Sequence, residues 1–69
     1  MKRIRQERIS RGWTLSHVAD YVGITVQSIS KIEQGENDPS YETLCKLEQL
    51  FYPLKHQELF AEVPINNPM

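Results

Sequence analysis

The sequence predicts an all-α fold of five short helices, and three observations carry that prediction. Apolar residues recur at three- and four-residue spacing in successive segments: Leu15, Val18, Ala19 and Val22, then Ile29 and Ile32, then Leu44, Leu47, Leu50 and Phe51. Several of these segments open on a hydroxyl residue and close on glycine or proline: Thr14 with Gly23, Thr25 with Gly35, Ser40 with Pro53. A chain of 69 residues has room for one domain around one core, and packed helices make the best use of so short a length.

The first helix is expected over Lys2–Arg11, with Ile4 and Ile9 as its apolar contacts and Gly12 as its stop. Trp13 then folds back onto the core. Arg8 lies one turn beyond Ile4, on the face that turns inward, and a buried arginine needs a partner. Glu33 is the candidate for that structural ion pair. The second helix opens at Thr14, whose hydroxyl can accept a hydrogen bond from a free N–H of the first turn, and buries Leu15, Val18, Ala19 and Val22. Ala19 presents only a methyl group, so a neighbouring helix can come close. Val22-Gly23-Ile24 makes the turn, and Gly23 supplies the positive φ that a sharp reversal requires.

The third helix, about Thr25–Gln34, opens on a second hydroxyl cap, with Ile24 and Ile29 spaced as a hydrophobic staple. Ile29 and Ile32 face the core. That leaves Val26, Gln27, Ser30 and Lys31 outward, with Ser28 at the edge. After a turn-forming loop, Ser40 caps a fourth helix that buries Leu44, Cys45, Leu47, Leu50 and Phe51 and breaks at Tyr52-Pro53. A last helix around Lys55–Phe60 brings Leu59 and Phe60 against the body. Residues 1–61 are the expected domain and residues 62–69 a C-terminal tail.

Charge is unevenly distributed. From Met1 to Lys31 six basic residues (Lys2, Arg3, Arg5, Arg8, Arg11, Lys31) face Glu7 and Asp20, a net +4; from Ile32 onward seven acidic residues face Lys46 and Lys55, a net −5. A basic first half can face phosphate while the acidic half faces away. No apolar run approaches the roughly 18 residues that span a bilayer, and the charged N-terminal stretch has no signal-peptide core, so a cytoplasmic protein is expected. Cys45 is a single thiol, and with two separated histidines it leaves too few ligands for a structural zinc. No Ser-His-Asp, Cys-His or carboxylate pair and no phosphate-cradling glycine loop occurs, so neither an enzyme nor a cofactor is expected.

Two helices joined by a three-residue turn, with a polar outer face on the second, form the arrangement that places a helix in the DNA major groove. The run from Ile4 to Phe60 resembles the lambda-repressor-like helix-turn-helix family, the Cro-type or xenobiotic-response-element regulators of bacteria and phages. The shared features are Arg11-Gly12 before Trp13-Thr14, Val18-Ala19, the Val22-Gly23-Ile24 turn and Ile29-Ser30-Lys31-Ile32-Glu33 followed by Gly35. Pro39-Ser40, Glu42-Thr43-Leu44 and Glu58-Leu59-Phe60 extend the likeness. Leu15 stands where the family commonly has glutamine, His17 where a capping glutamate is common, and Glu36-Asn37 where basic residues often follow the helix.

The resemblance implies a five-helix lambda-repressor-like DNA-binding domain whose third helix reads duplex DNA. It implies base contacts from Thr25, Val26, Gln27, Ser30 and Lys31. Gln27 carries a donor and an acceptor suited to adenine N6 and N7; Lys31 can donate to guanine O6 or N7; Val26 can pack on a thymine methyl. Phosphate contacts are expected from Thr14 and the N-terminus of the second helix, and from Ser28, Arg3, Arg5 and Asn37. Arg8 and Glu33 match a family ion pair. The implied partner is a pseudo-palindromic operator bound by a homodimer through the helix 4–5 region, as in a small repressor of phage or mobile-element origin. An antitoxin-like or adaptor module, with a protein as its main partner and DNA secondary, remains the alternative, favoured by the acidic second half.

Overall fold

The computed structural model describes residues 1–64. It holds five helices: α1 (Arg3–Ser10), α2 (Leu15–Val22), α3 (Val26–Gln34), α4 (Tyr41–Leu50) and α5 (His56–Leu59). One core joins them. Ile4 comes from α1, Val18, Ala19 and Val22 from α2, Ile29 and Ile32 from α3, Leu47 and Phe51 from α4 and its end, and Leu59 from α5. Full burial of a side chain of this size stabilises the fold by about 1.5–3 kcal/mol, so this cluster is what holds such short helices in place.

The caps act where the sequence puts them. Thr14 Oγ1 accepts from the His17 N–H at 3.0 Å, Thr25 Oγ1 from the Ser28 N–H at 3.1 Å, and Ser40 Oγ from the Thr43 N–H at 3.2 Å. Gly23 ends α2 at φ +84° and its N–H returns to the Ala19 carbonyl, so the chain turns over Gly23-Ile24-Thr25 and α3 packs against α2. The Ser40 hydroxyl also donates to Thr43 Oγ1 at 3.0 Å, which allows Thr43 to be buried. The short helix α5 is started from outside: Glu48 on α4 accepts from the His56 N–H and from its ring Nδ1, both at 2.8 Å.

Two expectations need correction, at Ile9 and at the chain ends. Ile9 is 54% exposed and makes no part of the core. Five residues at about 100° each carry it roughly 140° round from Ile4, while Arg8, four residues on, shares the Ile4 face. Trp13 folds back onto the core as expected, half-buried at its edge, with its ring 5.4 Å from Phe51 and 5.1 Å from His17. The expected tail is partly tied down. Lys2 pairs with Glu62 in an antiparallel bridge, the Arg3 N–H donates to the Ala61 carbonyl and the Val63 N–H to that of Met1. The folded body therefore runs past residue 61, and Lys2 belongs to this bridge rather than to α1. The remainder of the expected tail, 65–69, lies outside the described residues.

Candidate nucleic-acid interface

The placement of α3 follows from its inward face. Ile29 and Ile32 are buried, and so is Glu33, whose charge is met by Arg8. Arg8 Nε donates to Glu33 Oε2 at 2.8 Å, Nη2 to Oε1 at 3.3 Å, and Nη1 to the Trp13 carbonyl at 3.0 Å. One guanidinium thus joins α1, the start of the turn before α2, and α3. A two-pronged, charge-assisted contact of this kind fixes orientation as well as adding energy. Among the described residues no buried side-chain polar atom lacks a partner.

With that face locked, the opposite face of α3 is turned out. Val26, Gln27, Ser30, Lys31 and Gln34 line one shallow groove, with Leu15 from the start of α2 as its other wall. Leu15 therefore contributes an apolar edge where a polar contact would need a different residue. Glu36 also lines the groove, which therefore carries a carboxylate as well as the Lys31 ammonium. Arg5, on α1, lines an adjoining depression that also includes Ser30 and Gln34. Four of the five residues expected at base edges thus come together, and Arg5 flanks them.

The others lie differently. Thr25 sits at the entry to α3, but its hydroxyl accepts from the Ser28 N–H and donates to Ser28 Oγ at 2.9 Å, so both side chains are engaged in starting the helix. Thr14 is exposed at the N-terminus of α2, its hydroxyl oxygen occupied by the cap. Arg3 is on another flank from Arg5, because two residues turn α1 by about 200°. Its guanidinium meets Glu7 at 3.4 Å, in a row with Arg11, which also reaches Glu7 at 3.4 Å and the Leu50 carbonyl at 3.5 Å. Asn37 lines a separate depression together with Lys2, Pro39 and Phe60. Lys2 is engaged by Glu62 at 2.7 Å, and the hydrogen bond from its ammonium holds the Glu62 carboxyl below its ordinary value.

Gln34 is the groove residue the sequence reading passed over. Its spacing gives it away in retrospect: positions 27, 30–31 and 34 fall on one helical stripe. No helix among the described residues is long and apolar enough to cross a membrane, and no group of three metal-binding side chains gathers among them.

The helix-turn-helix family profile matches residues 4–51. Two curated relatives are similar to part of the chain. A prophage-derived, uncharacterised helix-turn-helix-type transcriptional regulator, YonR, of Bacillus subtilis (strain 168) is 37% identical over 49 residues, covering 71% of this chain and 45% of the relative. The helix-turn-helix-type transcriptional regulator SutR of Escherichia coli (strain K12) is 36% identical over 44 residues, covering 64% of this chain and 25% of the relative. The chain thus spans less than half the length of each. No solved structure is significantly similar to it.

Proposed function

The chain belongs to the helix-turn-helix family, in its Cro-like, xenobiotic-response-element branch, and from that premise we propose that it is a transcriptional regulator that reads duplex DNA with α3 in the major groove. The observation that carries this reading is the single groove on α3. Val26, Gln27, Ser30 and Lys31 line it while Ile29, Ile32 and the Arg8–Glu33 pair hold the helix from behind. Gln27 reads adenine, Lys31 reads guanine or meets phosphate, and Val26 packs on a thymine methyl. Arg5 and the N-terminus of α2 at Thr14 meet phosphates. The protein acts as a small repressor. It binds as a homodimer through the α4–α5 region, with two α3 helices about 34 Å apart on a pseudo-palindromic operator.

The test is selection from a random duplex pool, followed by the same selection with Gln27→Ala and Lys31→Ala. An enriched inverted repeat is expected. Each variant should lose about 1–3 kcal/mol of discrimination at its own base pair. Unchanged preferences in both variants would remove α3 as the reading element. A second reading, a protein-binding adaptor, is favoured by one observation: Tyr41 and Tyr52, at the two ends of α4, are 82% and 76% exposed. Under that reading the wild-type chain enriches no DNA sequence.

A further inference from the structure

Resting on the reading that α3 enters the major groove, we infer that Gln34 determines specificity by holding the Ser30 hydroxyl as a hydrogen-bond donor, so that Ser30 selects a base edge presenting an acceptor. Gln34 Nε2 donates to Ser30 Oγ at 3.2 Å across one turn of α3. A serine hydroxyl has one proton and two lone pairs, and on its own it serves as donor or acceptor with equal ease. The Gln34 N–H takes one of the lone pairs and forbids the proton from pointing that way. Of what remains, one proton and one lone pair, the O–H is the stronger offer to the groove, because an incoming hydrogen bond at the oxygen strengthens the outgoing one.

The orientation of the amide has its own cause. Arg5 lines the adjoining depression together with Ser30 and Gln34, while Arg8, also at its edge, is committed to Glu33 and the Trp13 carbonyl. A guanidinium carries donors only, so the Gln34 oxygen is the favourable end to turn toward Arg5, which leaves the NH2 group for Ser30. Gln34 is exposed and Ser30 half-buried, both on the outer face of α3, so neither is required by the core.

The major groove converts this polarity into sequence. Guanine O6 and N7, adenine N7 and thymine O4 accept, whereas cytosine presents only the N4 amino donor. Ser30 set as a donor therefore discriminates most strongly against cytosine. Gln34 is a positioning residue, acting on the base through Ser30.

The experiment is pool selection with the wild-type chain, Ser30→Ala, Gln34→Ala, the double variant and Gln34→Glu, each first shown to melt as the wild type does. In the wild type one base pair per bound half-site should favour an acceptor base over cytosine by about fivefold or more. Ser30→Ala and Gln34→Ala should flatten that same base pair and no other, and the double variant should do no more than either. Gln34→Glu should invert the preference. A carboxylate accepts the Ser30 proton and leaves only oxygen lone pairs facing the groove, so cytosine, whose one major-groove group is a donor, should replace the acceptor base there. The added negative charge weakens binding to every sequence alike, so the ratio between bases is the readout.

The inference is overturned if Gln34→Ala leaves all preferences intact, if it flattens a different base pair from Ser30→Ala, or if Gln34→Glu keeps the acceptor base. The last result would mean that the Ser30 proton goes back to a helix carbonyl. If the wild type enriches no sequence at all, the DNA-reading function itself falls, and this inference with it.

Discussion

Replacing Arg8 by alanine should cost this protein a large part of its stability. The Glu33 side chain is only 4% exposed and that of Arg8 12%, so the pair sits where water cannot take over a lost partner. Arg8→Ala removes both charge-assisted bonds to the carboxylate and the bond to the Trp13 carbonyl. A buried charge stripped of its partner typically destabilises by about 3–5 kcal/mol. A domain of this size has a total stability of roughly 3.5–10 kcal/mol at the usual per-residue value. The variant should therefore lose between about a third and all of that stability, with a Tm lowered by roughly 12–40 °C. Urea and thermal unfolding followed by circular dichroism would measure this. The double variant Arg8→Met with Glu33→Leu separates the cause, since it leaves no charge to strand. It should recover most of the loss, apart from the bond to the Trp13 carbonyl. A cost below about 1 kcal/mol for Arg8→Ala would refute the argument, because exposed pairs contribute only that much. So would a double variant no more stable than Arg8→Ala alone.

Two further predictions follow from backbone geometry and charge. Gly23→Ala should destabilise by about 1–2 kcal/mol from backbone strain alone. The new Cβ would meet only Lys46 Nζ, at 3.9 Å, while φ stays at +84°, so a neutral outcome in equilibrium unfolding would count against strain at this turn. The Glu48 carboxyl is held below its ordinary 4.5, first by its hydrogen bond to the His56 side chain and then by that to the His56 backbone. A folded-state value below the unfolded one means that its stabilising contribution is present above 4.5 and is lost as pH falls through the lower, folded value. Glu48→Gln should accordingly flatten the acid side of the stability profile, and an acid limb as steep as the wild type's would show that other carboxylates govern it.

The Arg8 contact also bears on how a small domain can hold a short helix at a fixed rotation. At nine residues, α3 is too short to persist alone. Its pitch against α2 is set by Gly23 and the close approach at Ala19, and its rotation by Ile29, Ile32 and Glu33. Rotation matters most, because a turn of about 100° would exchange one outward residue for the next. The buried ion pair penalises that rotation more sharply than apolar contacts do, since a misplaced charge in the core costs far more than a misplaced methyl.

Much of this was legible in the chain itself. Thr14, Thr25 and Ser40 as caps, Gly23 and Gly35 as stops, and the buried stripes of α2 and α3 depend on neighbours three or four residues apart, and such relations are written directly in the order of residues. The outward set Val26, Gln27, Ser30 and Lys31 is the complement of a stripe that those rules already define. The phase of α1 was legible only in part. Arg8, one turn beyond Ile4, turns inward as its spacing implies, but with Ile4 as the one core residue of α1 the spacing did not exclude Ile9. Only packing decided that Ile9 stays out and that Arg5 and Arg3 part to different flanks. Partners distant in sequence were equally closed to local reading: Lys2 with Glu62, and Glu48 with the start of α5, exist because helices meet at particular angles. Periodicity and capping are local, and the sequence determines them; which side chains meet across the bundle is a property of the packed helices together, and only the tertiary structure decides it.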